Sequence, residues 1–361
     1  MTAGRSTLTL DAAHALVTDA LVASRTAPWV ARPVADALVG AEAEGQAGHG
    51  LSRVASYAAQ ARSGKVDGFA EPALARPRPG FVAVDAAHGF AYPALALARG
   101  ALAEAARENG IACAAVRRSH HCGALGQQVE ALAEAGLIAL MVANTPKAMA
   151  PWGGRAALFG TNPIAFAAPR AGAPALVIDL SLSRVARGKV MAAAKTGAAI
   201  PEGWALDPEG RPTTDPAAAL AGTMLPAGDA KGAALALIVE VLAGALAGPS
   251  LSAEASSFFE AQGAPPAVGQ TLIAIDPAVG DAGMGDAGMG DAGVGDAGVG
   301  DAGVGDAGVG ARIERLCTAI AAEEGARLPG ARRLQARAAA AAEGVSVPDP
   351  ILAEIRAIAG G

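Results

Sequence analysis

Over the first hundred residues, apolar side chains recur at three- and four-residue spacing, the pattern that gathers them on one helical face. Asp11 can cap a first run that carries Leu16, Val17 and Leu21 on one side. A second run starts at Pro33 and stops at Gly45, and a third starts after Gly50 and turns Leu51, Val54 and Ala58 inward. The pattern then changes to short continuous apolar runs bounded by Gly and Pro, at residues 81–84, 111–116, 137–143, 164–168, 175–180 and 272–275. Runs of that length read as buried strands. Helical spacing returns between some of them, at 93–108 and 124–135, which makes the region α/β. From Lys231 onward the segment ALALIVEVLAGALAG is apolar on nearly all sides, which predicts a helix in the core or at a subunit interface.

Between residues 281 and 310 the unit DAGMG or DAGVG repeats six times. So much glycine cannot bury enough side chain to offset its ordering entropy, and the tract reads as a flexible, solvated insertion. Within it, Gly283-Met284-Gly285-Asp286-Ala287-Gly288 fits G-x-G-x-x-G after a strand-like run. That fingerprint needs a helix opening at its last glycine, whereas more repeat follows, so the match is accidental. The regularly spaced aspartates fit neither the EF-hand nor the nonapeptide calcium pattern.

Composition narrows the partners. A chain of 361 residues, 52% hydrophobic, has enough apolar material for a sizeable core. Its 34 acidic and 28 basic side chains give a formal charge of −6, with no general attraction to nucleic acid or an anionic membrane. An anionic ligand must therefore be held locally. The start, MTAGRSTLTLDAAH, lacks the apolar stretch of a secretory signal, and the longest apolar run, 232–248, is broken by Glu240. Cys113, Cys122 and Cys317 are too few and too irregularly spaced for a disulfide framework. A cytoplasmic protein is expected.

Of five histidines, His14 falls on a predicted helix, while His49, His88, His120 and His121 fall in glycine-containing breaks. An imidazole in such a break lies near exposed backbone, a common place for ligand contact, though a surface turn is the ordinary case. In Gly48-His49-Gly50-Leu51-Ser52-Arg53, a helix starting at Gly50 puts Arg53 one turn beyond His49, with Tyr57 a turn further. Arg53 can then bind a carboxylate while His49 exchanges a proton with the neighbouring atom; the alternative is an ordinary surface arginine. A second cluster, Ser119-His120-His121-Cys122-Gly123-Ala124-Leu125-Gly126, lies between a strand and a helix. No second half-site completes four metal ligands, so no metal is expected. Backbone amides at the helix start can hold a phosphate or a nicotinamide amide, and a Cys122–His121 nucleophile pair is the other option.

Taken together, GHGLSRVASY, SHHCGALG, APWGG, FGTNPIAF, VIDLS, ARGKV, IPEGWALDPEGRPTTDP, KGAALAL and LPGARR resemble the malate/L-lactate dehydrogenase family, from about Asp11 to Arg333. That family, which also holds sulfolactate and ureidoglycolate dehydrogenases and Δ1-piperideine-2-carboxylate reductases, has its own non-Rossmann nicotinamide fold. The resemblance implies a mixed, largely antiparallel sheet and a helical lobe made by both ends of the chain. It divides the chain into an N-terminal lobe (1–75) with substrate residues, a cofactor-binding and dimerisation region (76–275), the insertion (276–310) and a C-terminal helical segment (311–361) packing back on the first lobe. It also implies a homodimer.

By the same resemblance, His49 is the proton donor, ahead of His121, and Arg53, Thr161, Arg187 and Gly188 bind the substrate. His121, Cys122, Gly123, Ala124 and Leu125, with Asp179, Leu180, Ser181, Ala230 and Lys231, contact the cofactor. Gly48 stands where the family usually has a serine that assists the histidine, and Ala233-Ala234 where many members have Tyr-Gly. The implied reaction is hydride transfer between NAD(P) and a small 2-hydroxy or 2-oxo acid; the alternatives are reduction of a cyclic imine acid and a catalytically impaired cofactor binder. Arg327, Arg332 and Arg333 flank a Pro-Gly turn, where converging guanidiniums suit a 2′-phosphate, so NADP is favoured over NAD; pairing with surface carboxylates is the alternative.

Overall fold

Thr9, one residue before the first helix, accepts a hydrogen bond from Ala12 N at 3.2 Å and is its cap; Asp11, the expected cap, lies in the first turn. Here a computed structural model describes residues 4–279 and 308–360. Helix α1 spans Leu10–Val22 and α2 spans Pro28–Ala43. The second helix therefore begins five residues before the expected Pro33, because Pro28 supplies the favoured first position and Pro33 is accommodated inside. After Gly50 comes a 3₁₀ turn, Leu51–Arg53, and then α3, Val54–Ser63, ended by Gly64 in the left-handed conformation.

Seven strands form the main sheet in the order β2 (Ala73–Arg78), β3 (Phe81–Asp85), β4 (Ile111–Ser119), β11 (Val268–Ile275), β5 (Ile138–Ala143), β6 (Ile164–Arg170) and β7 (Ala173–Leu180). Only β3 and β4 are parallel, and α4 (Ala91–Asn109) makes the crossover between them. Every other neighbouring pair is antiparallel, whereas a doubly wound nucleotide fold needs parallel strands. β11 arrives from far along the chain to fill the centre, setting Leu272 opposite Ala114 on one side and Met141 on the other. The edge strand β2 was not expected: all six of its residues are exposed and Pro77 interrupts it, so it has no alternation to read. Helix α5 (Leu125–Glu134) packs on this sheet with α4, burying Leu95, Leu102, Val129 and Leu132 against Val116, Met141 and Leu272.

The helical lobe has its own core, in which Val17, Leu21, Leu38 and Val54 meet Leu352 and Ile355 of α11 (Asp349–Ala359). β1 (Arg5–Leu8) pairs there with β12 (Val345–Pro348). Helix α9 (Val309–Ala322) starts inside the segment read as insertion and lies on β6, where Arg170 holds Glu314 at 2.7 and 3.0 Å. At its start, Asp276 N donates to Gly110 O at 2.9 Å, which ends β11 beside α4; residues 280–307 of the insertion reading, with the accidental G-x-G-x-x-G, lie outside the described residues.

A third cluster gathers α6 (Arg187–Thr196), α7 (Pro216–Ala221), a small sheet of β8 (Ala205–Leu206), β9 (Pro212–Thr213) and β10 (Thr223–Met224), and α8 (Ala230–Val239). α8 continues as a π-helical turn, Glu240–Ala245. The Glu240 carboxylate is buried there and accepts from Ser252 Oγ at 2.7 Å and Asn162 Nδ2 at 2.9 Å, so it does not break the helix. Ala236, Val239 and Ala243 face inward, while Leu235, Leu237, Ile238, Val241 and Leu246 are exposed. Core and outer face are thus both apolar. Among the described residues no helix is long and apolar enough to cross a membrane.

Candidate active site

The turn that carries His49 is pinned from α2. Glu42 Oε2 accepts from Leu51 N at 2.9 Å, and a Cβ on Gly50 would lie 2.2 Å from that oxygen, so this approach requires glycine. Arg53 turns back and donates through Nε to Gly48 O at 2.7 Å. Its guanidinium lies 4.7 Å over the Phe259 ring, so it is not fully solvated, and among the described residues no carboxylate pairs with it.

β4 delivers the second cluster. Past Ser119 the chain runs without regular structure to α5, and Gly123 takes φ +66°, where a Cβ would lie 2.6 Å from Tyr92 Oη. This route brings the His121 ring onto that of His49, centroids 5.5 Å apart and planes 14° from parallel. Tyr57 is wholly buried on α3, with its hydroxyl 2.6 Å from His121 Nδ1. Burial pushes the Tyr57 phenol well up, so it keeps its proton, and its oxygen anchors the His121 ring at Nδ1.

Burial first, then the Arg53 charge, lowers His49 to about 4. The same causes, with the neighbouring histidines, take His121 well below its ordinary range, and burial followed by Lys65 and Arg53 lowers His120 to about 3. All three rings are neutral at neutral pH. Among the described residues no hydrogen bond holds the His49 ring, and its Nδ1 is buried without a partner there. Elsewhere His14 pairs with Asp36, and His88 occupies a left-handed turn near Asp85 and Arg118.

Two of the sequence alternatives do not survive the geometry. Burial, with Asp179 adding to it, pushes the Cys122 thiol up to about 12, so it is no thiolate nucleophile. The start of α5 is no free anion site either, because Asp179 Oδ2 accepts from Gly126 N at 2.8 Å.

Thr161, Ser181 and the start of α8 form a neighbouring group. Leu182 N donates to Thr161 O and Ala227 N to Leu182 O, both at 2.8 Å, so Ala230 and Lys231 follow directly on the segment that Ser181 opens. Arg187 Nη1 lies 3.5 Å from Lys147 O, and the space around Gly188 is open. No hydrogen bond among the described residues joins this group to His49 and Arg53.

The arginine turn departs from expectation. Arg333 is buried and donates to Glu130 at 2.7 Å through both terminal nitrogens and to Glu44 at 3.0 Å; Arg337 joins the same two carboxylates. This network ties α10 (Ala331–Glu343) to α2 and α5, so Arg333 cannot be a free anion donor. Arg327 and Arg332 remain exposed. Gly330 packs on Val177 of β7, which sets the turn beside Asp179 and Leu180. Residues from β7, the 121–125 segment and this turn thus lie close together, and the buried, unpartnered His49 Nδ1 leaves a polar atom for a ligand. The donor set fits a nicotinamide nucleotide.

Gln60, Lys65, Tyr92, Phe258 and Phe259 escaped the sequence reading. Phe258 packs its ring 4.9 Å from His121 and 5.7 Å from His120. The only signal was a Phe-Phe pair inside an otherwise polar stretch of a chain with 3% aromatic residues.

A non-Rossmann mixed sheet, whose His121 stacks on the His49 ring of a helical lobe with Arg53 four residues further along the same turn, defines an α/β oxidoreductase of the nicotinamide-dependent kind. The chain belongs to the malate/L-lactate dehydrogenase family, whose profile matches residues 8–291. It is 47% identical over 352 residues, 98% of each chain, to the (2R)-3-sulfolactate dehydrogenase (NADP(+)) of Chromohalobacter salexigens. It is 39% identical over 351 residues, 97% of each chain, to the Δ1-pyrroline-2-carboxylate reductase of Ancylobacter novellus. The crystal structure of Δ1-piperideine-2-carboxylate reductase from Pseudomonas syringae pv. tomato superposes with a TM-score of 0.85 at 38% identity, covering 98% of this chain and 99% of that one.

Proposed function

We propose that the protein is an NADP-dependent dehydrogenase of a small 2-hydroxy acid, of the sulfolactate type, working through His49 and Arg53. The observation that carries this reading is the pairing of a neutral His49 imidazole with a half-buried guanidinium, the first unbonded and the second without a carboxylate partner among the described residues. Arg53 binds the substrate carboxylate in a charge-assisted contact, with Thr161, Arg187 and Gly188 closing the pocket. His49 takes the hydroxyl proton in oxidation and returns it in reduction. A carboxylate bound at Arg53 removes the charge that depresses His49 and so favours its protonated form. His121, held at Nδ1 by the Tyr57 hydroxyl, has its ring fixed in place beside His49. When bound, the nicotinamide accepts or supplies the hydride. Residues 121–125, Asp179, Leu180, Ser181, Ala230 and Lys231 would hold it, with Arg327 and Arg332 near a 2′-phosphate.

A second reading, reduction of a five- or six-membered cyclic imine acid, is favoured by the Pseudomonas syringae superposition. The same His49 and Arg53 would serve it, with nitrogen taking the proton. Following NADPH and NADH consumption with sulfopyruvate, pyruvate, oxaloacetate and Δ1-pyrroline-2-carboxylate separates the two. Turnover of the imine alone overturns the first reading, and NADPH binding without turnover of any of them would mark an impaired binder.

The exposed leucine-rich face of α8 and its π-helical turn supports a homodimer, since so much apolar surface on one helix face is otherwise unpartnered. Leu237→Glu with Val241→Glu should give monomers in sedimentation; an unchanged dimer would exclude this face. The acidic balance and the free Cys113, Cys122 and Cys317 support a cytoplasmic enzyme acting on a small anion, with neither nucleic acid nor membrane as partner.

A further inference from the structure

The segment 257–262 has no regular structure, yet five of its six carbonyls are bonded by side chains from the end of α3 and the residues after it. Gln60 Nε2 donates to Phe258 O and Glu260 O, both at 2.9 Å. Ser63 Oγ donates to Ala261 O at 2.6 Å. Lys65 Nζ donates to Ser257 O at 2.7 Å, Glu260 O at 3.0 Å and Gln262 O at 3.2 Å. Lys65 is 2% exposed, and among the described residues its ammonium has no carboxylate partner at bonding distance, so its three protons go to this backbone. The only carbonyl left out belongs to Phe259, the ring under Arg53.

Gln60 also reaches the histidines. Its amide orientation is fixed, because the atom facing two carbonyls must be the nitrogen. Oε1 therefore faces His120 Nε2 at 2.7 Å and can only accept, so the neutral His120 carries its proton on Nε2 and leaves a buried Nδ1 without a partner. Phe258, held by the same amide, packs at a tilt against both histidines, its plane 58° from His120 and 56° from His121.

We infer that Gln60 is a positioning residue that, with Lys65, fixes the His120 tautomer and clamps the 257–262 segment, setting Phe258 against His121 and Phe259 beneath the substrate-binding guanidinium of Arg53. This inference rests on the reading of Arg53 and His49 as the substrate site. Loss of Gln60 breaks the clamp and the tautomer together, whereas loss of Lys65 breaks the clamp alone.

The test combines steady-state kinetics with ¹⁵N-imidazole NMR of the full chain. In wild type, His120 should show the Nε2–H tautomer. Gln60→Met should abolish that single-tautomer signature and raise KM for the acid substrate about tenfold, the effect of one or two lost buried hydrogen bonds, with kcat changed less. Lys65→Met should raise KM similarly with the His120 signal unchanged, and Lys65→Arg should restore much of it by donating to the same carbonyls. A Gln60→Met protein that keeps the His120 signal, or keeps KM within about twofold, overturns the proposal. If that variant does not fold, a Lys65→Met KM equal to wild type overturns it instead. The NMR readout needs no substrate, so failure of the substrate-site reading, seen as an Arg53→Met KM equal to wild type, is distinguishable from failure of this one.

Discussion

The His49 and His121 rings lie face to face, 5.5 Å between centroids and 14° from parallel, and only His121 is hydrogen-bonded, through Tyr57 at 2.6 Å. Two imidazolium rings so close would repel, so the pair bears at most one positive charge at a time. The unbonded ring is the one free to exchange a proton with substrate. His49→Ala should lower turnover at least about a hundredfold, the lower range for a positioned acid/base, and His121→Ala should cost less. Steady-state rates in both directions check this; the reverse ranking would assign the proton transfer to His121.

Arg53→Met should raise KM and lower the rate, because a thioether cannot orient a carboxylate. It should also change the pH profile. His49 must be neutral to act as base in oxidation, and the Arg53 charge is the second cause of its depression to about 4. Removing that charge moves the acid limb of kcat/KM upward, only part of the way to 6.5, because burial, the larger cause, remains. A limb that stays put, or moves down, would detach Arg53 from His49.

The arginine turn should separate into two functions. Arg332→Ala should weaken NADPH and leave NADH nearly unaffected, as read by the two dissociation constants. Arg333→Ala leaves the Glu44 and Glu130 carboxylates, both nearly buried, with one donor fewer, and should cost about 3–5 kcal/mol in chemical denaturation. Equal loss of both cofactors in Arg332→Ala would indicate contact with the shared pyrophosphate.

Acid should destabilise the fold through its histidines. His49 and His120 are lowered to about 4 and about 3, and His121 well below its ordinary range, so between pH 6.5 and 4 the unfolded chain binds more protons than the native one. Their contribution is fully present above pH 6.5 and is lost as pH falls through that window. His120→Gln, which retains a polar side chain, should flatten this dependence in urea melts at pH 7.5 and 5. An unchanged slope would mean that His120 titrates normally.

Gly48 has open space where a Cβ would point, with no atom within 4 Å. Gly48→Ser should therefore fold normally and gain about 0.4–1 kcal/mol by reducing unfolded-state entropy. If a hydroxyl beside His49 assists proton transfer here, turnover rises as well. A lower melting temperature would show that the backbone at 48 needs glycine.

Local pattern was enough for some of this. The strands at 111–116, 164–168 and 175–180 are read directly from continuous apolar runs, although the last is an edge strand with only Val177 buried and not the fully buried strand expected. GHGLSRVASY and SHHCGALG likewise carried His49, Arg53 and His121 as sequence-readable chemistry. β2 carried no such signal, since an edge strand exposed at all six positions has no apolar rhythm. What only the tertiary structure decided was the partner of each polar group. Nothing near Arg333 in sequence announces Glu44 and Glu130, and nothing near Gln60 or Lys65 announces the carbonyls of 257–262. Apolar periodicity is a property of one segment, because burial needs only a face. Hydrogen bonds and ion pairs need two named atoms about 3 Å apart, and that approach is set by how distant segments pack.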